Sequence, residues 1–129
     1  MPQTEAHASL PAEPRSVGAA RRLLEQVLAA AGVRGEPKSR ALLVVSELVT
    51  NAIRHGSHAG DQIAVEFAAQ DRRLRLCVRD PFRRSSALAA LTPDSSRPAG
   101  RGLQIVEQLA TWSERVVDGR REVRAELDF

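Results

Sequence analysis

Three short stretches of the chain carry groups whose types and spacing could do chemistry. Glu47, Asn51 and His55 stand at i, i+4 and i+8, which on a helix places them close to one line, with Ser46 and Arg54 beside them. A carboxylate and an amide so aligned can share a metal or position a water, although a solvated helix face would have the same spacing. Asn competes with the helix backbone for hydrogen bonds and gains nothing at mid-helix unless something bonds to it. His55, directly before Gly56, suits a helix C-terminal position where it bonds the last carbonyls.

Asp80 shares the parity of Leu74, Leu76 and Val78, so on a strand its carboxylate leaves on the apolar side. An ordinary Asp-Pro turn with Pro81 accounts for the pair equally well. Gly100-Arg101-Gly102 opens an amphipathic segment. Backbone N–H groups at such a start can be approached closely and lie at the positive end of a helix dipole, an arrangement suited to phosphate, with Arg101 adding charge. Glycines also open many helices that bind nothing.

The elements that must position these residues follow from periodicity. Val17, Ala20, Leu23, Leu24, Val27, Leu28 and Ala31 repeat at helical spacing up to Gly32, and a second helix is predicted from about Lys38 to His55. Its buried stripe is Leu42, Val45, Val49, Ala52 and Ile53, between Pro37 and Gly56. The period then becomes two. Ile63, Val65 and Phe67, then Leu74, Leu76 and Val78, then Val123, Ala125, Leu127 and Phe129 define three strands with one apolar face and one charged face. Asp118-Gly119 predicts a hairpin with Arg115 to Val117 as the partner strand. A third helix follows Gly102, with Leu103, Val106, Leu109 and Ala110 apolar. Residues 1–14, with three prolines, are expected to be a flexible leader in which Ser9-Leu10-Pro11 could add a short edge strand. Residues 15–129 form the single domain, with a lid at about 81–99. Trp112 is expected in the core, and Cys77 on the charged sheet face without a role.

Composition narrows the classes. A chain of 129 residues, 43% hydrophobic, can build one core. The net charge of +3 is spread thinly, with seven basic and five acidic residues before Asp61 and twelve and eleven from there on. No basic stripe or set of stacking aromatics is present, which argues against a nucleic-acid-binding module. One cysteine and no CxxC exclude an internal disulfide and a zinc cluster. The N-terminus lacks a basic segment followed by an apolar core, and no apolar run approaches a membrane span, so a cytoplasmic protein is expected.

Taken in order, Ser46-Glu47-Leu48-Val49-Thr50-Asn51-Ala52-Ile53-Arg54-His55-Gly56, a strand ending in Asp80-Pro81, and Gly100-Arg101-Gly102-Leu103-Gln104-Ile105-Val106 resemble the Bergerat or GHKL ATPase fold. The nearest branch is the short anti-sigma-factor serine kinases of the RsbW type, and the resemblance runs from about Leu10 to Phe129. It implies an α+β, two-layer sandwich with helices on one face of a mixed sheet, and it implies ATP and Mg2+ as ligands. By resemblance, Asn51 holds magnesium against the phosphates, Glu47 is the catalytic base, and Asp80 binds the adenine amino group. Gly100 and Gly102, with Arg101 between them, lie under the phosphates. The implied partners are a sigma factor and an anti-anti-sigma-like protein phosphorylated on serine, with homodimerisation left open.

One departure stands out. The family pattern Asp-x-Gly-x-Gly is replaced by Asp80-Pro81-Phe82-Arg83-Arg84. If Phe82 takes a positive φ, strain of about 1 kcal/mol or more, or a clash of its ring with adenine, is expected to weaken nucleotide binding. The alternative is then a protein-binding switch with a decayed nucleotide site.

Overall fold

The structure, a computed structural model, describes residues 4–83 and 101–129. Its elements are β1 (Thr4–Pro11), α1 (Arg15–Ala30), α2 (Gly35–Gly56), β2 (Gln62–Gln70), β3 (Arg73–Asp80), α3 (Arg101–Leu109), β4 (Thr111–Val117) and β5 (Arg120–Asp128). The expected lid lies mostly outside the described residues, as does Gly100.

The strands form one sheet in the order β1-β2-β3-β5-β4. Every pairing is antiparallel, where a mixed sheet was expected. The expected two layers are present. Ile63, Val65, Phe67, Leu74, Leu76, Val78, Val123, Ala125 and Leu127 are all buried on the face that carries the helices. α1 lies over β1 and β2, α2 over β3 and β5, and α3 beside α2 and β4.

The expectation of a flexible leader over residues 1–14 is corrected at Thr4–Pro11, where the edge strand anticipated at Ser9-Leu10-Pro11 is present and longer. Thr4–Pro11 pairs along its whole length with β2, from Thr4 opposite Ala69 to Pro11 opposite Gln62. Its half-buried positions Thr4, Ala6, Ala8 and Leu10 alternate with exposed Glu5, His7 and Ser9. Small inward residues suffice at an edge, where α1 supplies the rest of the cover, and Pro11 costs nothing at the last position of an edge strand.

Helix ends follow local rules. α1 stops in a Schellman motif: Val33 donates to the Leu28 carbonyl at 2.8 Å and Gly32 to that of Ala29 at 3.1 Å, with Gly32 at φ +73°. α2 begins three residues before the predicted Lys38, because Pro37 falls in the first turn, where its missing N–H has no intrahelical bond to lose. The β2–β3 and β4–β5 turns hold Asp71 and Arg72 (φ +54° and +64°), and Asp118 and Gly119 (+54° and +76°). Two successive positive φ values match the turn's twist to that of the strands.

Candidate functional site

α2 presents its two chemically interesting residues unequally. Asn51 is buried, at 7% exposure, and its amide nitrogen Nδ2 has no hydrogen-bond partner among the described residues. Glu47, one turn earlier, is half-buried. Ser46, on the neighbouring line, serves the helix pair instead: Arg21 of α1 donates to its hydroxyl at 2.8 Å, and that hydroxyl donates to the Leu42 carbonyl at 2.7 Å. At the C-terminus the Ala52 carbonyl is taken by the Ser57 hydroxyl at 2.9 Å, and Arg54 and His55 stand in the last turn, where a positive charge is favoured.

Asp80 leaves β3 on the helix side, as its parity predicted, and is fully buried. It meets α2 at Gly56, where a Cβ would lie 2.1–2.3 Å from the carboxylate atoms. Only glycine allows that approach. Oδ1 accepts the Phe82 backbone N–H at 2.8 Å. Oδ2 accepts Nε–H of Arg121 at 2.8 Å, and Arg121 Nη2 lies 2.5 Å from the same oxygen, close enough for an ion pair but not aligned as a hydrogen bond. Burial pushes the Asp80 carboxyl above its ordinary value, and the Arg121 charge and the Phe82 N–H hold back part of that rise.

Arg121 and Gly56 are the functional candidates that sequence reasoning missed. Arg121 shares the parity of Val123, Ala125 and Leu127, so a charged residue continues an apolar row toward the helices. That was the available signal. Beside it, Glu114 of β4 is half-buried with a buried oxygen, Oε2, that lacks a hydrogen-bond partner among the described residues. Burial raises its carboxyl, the charge of Arg121 lowers it, and that of Asp80 raises it further.

The loop leaving Asp80 is held in place. Phe82 has φ +57°, the left-handed conformation anticipated for this position, which costs a residue with a Cβ about 1–2 kcal/mol. Arg83 donates its backbone N–H to the Gly56 carbonyl at 3.1 Å, and its guanidinium grips Asp61 at 3.0 and 3.1 Å. Arg101 and Gly102 open α3, which packs beside α2. The end of α2 and the end of β3 thus meet, and α3 packs beside α2. A shallow depression lined by Asp71, Arg72, Arg75 and Phe129 lies at the opposite end of β3 and takes no part.

Among known proteins, the family model of the histidine kinase-like ATPase domain matches residues 10–126. The chain belongs to that family. Two solved structures share the fold of this ATPase-like domain. One holds the RsbU and RsbW domains of Rv1364c from Mycobacterium tuberculosis, with TM-score 0.72 and 22% identity over 99% of the chain. The other is the SiaB–SiaC complex from Pseudomonas aeruginosa, with TM-score 0.63, 14% identity, and coverage of 96% of the chain and 89% of the matched one. The chain spans about a third of the Rv1364c structure, 32% of its length. No curated protein matches.

Within the family's ligand scheme, the two ends of the site behave differently. At the α2 end, a buried amide with an unpartnered nitrogen beside a half-buried carboxylate fits residues kept to meet a polar ligand. At the β3 end, the carboxylate that would read adenine already has a partner on each oxygen, and as it stands it does not fit a base. Among the described residues no helix is long and apolar enough to cross a membrane.

Proposed function

We propose that this domain is a nucleotide-responsive regulatory protein that captures a protein partner, in the manner of anti-sigma-factor serine kinases. The observation that carries the reading is Asn51, buried in α2 with its amide unsatisfied, one turn from Glu47. Leaving such a group unbonded costs about 1–3 kcal/mol, a cost understandable if a ligand restores the bond. Asn51 would face a magnesium ion and the phosphates, with Gly100, Arg101 and Gly102 under the phosphate chain and Asp80 at the base end. Magnesium, when bound, would offset phosphate charge. Glu47 would orient a partner's serine hydroxyl and accept its proton during phosphoryl transfer. A sigma factor and an anti-anti-sigma-like protein are the partners this reading names, and the SiaB–SiaC structure is itself a complex of two proteins.

A second reading has its own observation. Asp80 is fully engaged by Arg121 and Phe82 N–H, as in a binding switch whose nucleotide site has decayed. Calorimetry with Mg-ATP separates the two, since no heat of binding at about millimolar nucleotide would leave only the switch. If nucleotide binds, Glu47→Gln should keep the affinity and lose transfer to candidate partners by roughly 10²- to 10⁴-fold, whereas Asn51→Ala should lose both. Unchanged transfer in Glu47→Gln would remove Glu47 from the catalytic role.

A further inference from the structure

The Arg121 guanidinium is fully buried, yet of its five N–H donors only Nε–H makes an aligned hydrogen bond. Among the described residues Nη1 has no acceptor, and Nη2 lies 2.5 Å from Asp80 Oδ2 without aligning as a hydrogen bond. A structural ion pair in an interior is sustained by satisfying the remaining donors and lone pairs. Among the described residues the guanidinium's hydrogen-bond partner is Asp80, directly across the β3–β5 ladder, where the two residues are register partners.

The Asp80 carboxylate is enclosed. Arg121 stands on Oδ2, Phe82 N–H on Oδ1, and the Gly56 backbone fits against it closely enough to exclude even a methyl group. An adenine amino group would approach that carboxylate as a planar N–H donor, as the guanidinium does. The competition is unequal. The guanidinium is permanently charged, and a charge-assisted bond to carboxylate is roughly twice as strong as a neutral one. Displacing it would also leave a buried cation unpaired.

We propose that Arg121 is a built-in occupant of the base end of the nucleotide site, holding Asp80 where an adenine amino group would bind. The resting protein therefore grips a nucleoside triphosphate by its phosphate end and does not discriminate among bases. Arg121 is in this sense a specificity-determining residue, and its presence removes a preference. The inference rests on the reading of Asp80 as the base-end carboxylate.

The test is calorimetry on the full chain with Mg-ATP, Mg-GTP and magnesium tripolyphosphate, for the unmodified protein and for Arg121→Ser and Arg121→Gln. The serine variant vacates the position. The glutamine variant keeps a hydrogen-bonding filler in case the serine variant fails to fold. The unmodified protein is expected to bind ATP and GTP alike, and at least one variant to gain about tenfold or more for ATP, the worth of one recovered hydrogen bond, without a gain for GTP. A tenfold preference for ATP in the unmodified protein overturns the proposal. So does the lack of an ATP-selective gain in both variants. If the unmodified protein binds no triphosphate and a variant binds ATP, the proposal stands while nucleotide regulation of the natural protein falls.

Discussion

A methyl group at position 56 would meet the Asp80 carboxylate at 2.1–2.3 Å, and that carboxylate cannot swing aside, because Arg121 and the Phe82 N–H hold both of its oxygens. Either α2 lifts from β3 or the buried ion pair opens. Gly56→Ala is therefore expected to cost about 3 kcal/mol, at the upper end of overpacking penalties. Urea denaturation measures it, and a loss under about 1 kcal/mol would show that the carboxylate is free to rotate. The sequence marks Gly56 only as a helix stop, because the tight approach arises from how α2 crosses β3, which is not a local property. Asp80 was legible, since its parity follows from a period of two. Arg121 had the same parity signal, but Arg120, Arg121 and Glu122 are three charges in succession, which masked it until the pairing with Asp80 showed what the inward one meets.

The charged face of the sheet is organised around one residue. Glu122 is 3% exposed although none of the helices among the described residues covers that face, because Arg79 and Arg115 sit directly opposite it on the two neighbouring strands. Arg79 binds it at 2.7 Å, Arg115 at 2.9 Å and Arg124 at 3.1 Å. Cys77 is buried as well, and its thiol is raised first by burial and then by the Glu122 charge. Burial pushes the Glu122 carboxyl up, but the hydrogen bonds from Arg79 and Arg115 outweigh it, and the group sits below its ordinary value of 4.5. A depressed carboxyl stabilises the fold above its unfolded value and loses that contribution as pH falls through its folded value. Glu122→Gln is expected to cost about 1–2 kcal/mol at neutral pH, discounted because the arginines are partly exposed. The gap to the unmodified protein should close below pH 4.5, and a gap independent of pH would remove the ladder from this role. The positions of β2, β3 and β5 and the charged face were readable from alternation alone, and the last residues of β4, 115–117, from the Asp118-Gly119 hairpin signal. β1 beyond Ser9-Leu10-Pro11 was not, because Ala6 and Ala8 carry little apolar signal and the edge is completed by β2 and α1. Strand direction was not either, because it is decided by how the elements connect.

At the scale of the whole molecule, Asp80 and Arg121 join two central strands beneath α2, so the pair belongs to the core as well as to the candidate site. Removing one partner of a buried pair leaves an uncompensated charge, typically about 3–5 kcal/mol, while removing both can be nearly neutral. Asp80→Asn and Arg121→Met should each fall in that range, and the double variant should cost less than the sum by about 3 kcal/mol. The single variants should differ in pH dependence. With Arg121 gone, the buried Asp80 carboxyl, already above its ordinary 3.8, rises further, and the folded state then binds a proton that the unfolded state releases. Stability of Arg121→Met should therefore fall as pH rises from 3.8 through the raised value, and should be highest in mild acid as far as Asp80 alone is concerned. Asp80→Asn lacks the carboxyl and should lack that slope. Additive costs to within about 0.5 kcal/mol, or the same pH dependence in both single variants, would show that the two side chains are neighbours without being a pair, and the proposal that Arg121 occupies Asp80 would lose its physical basis.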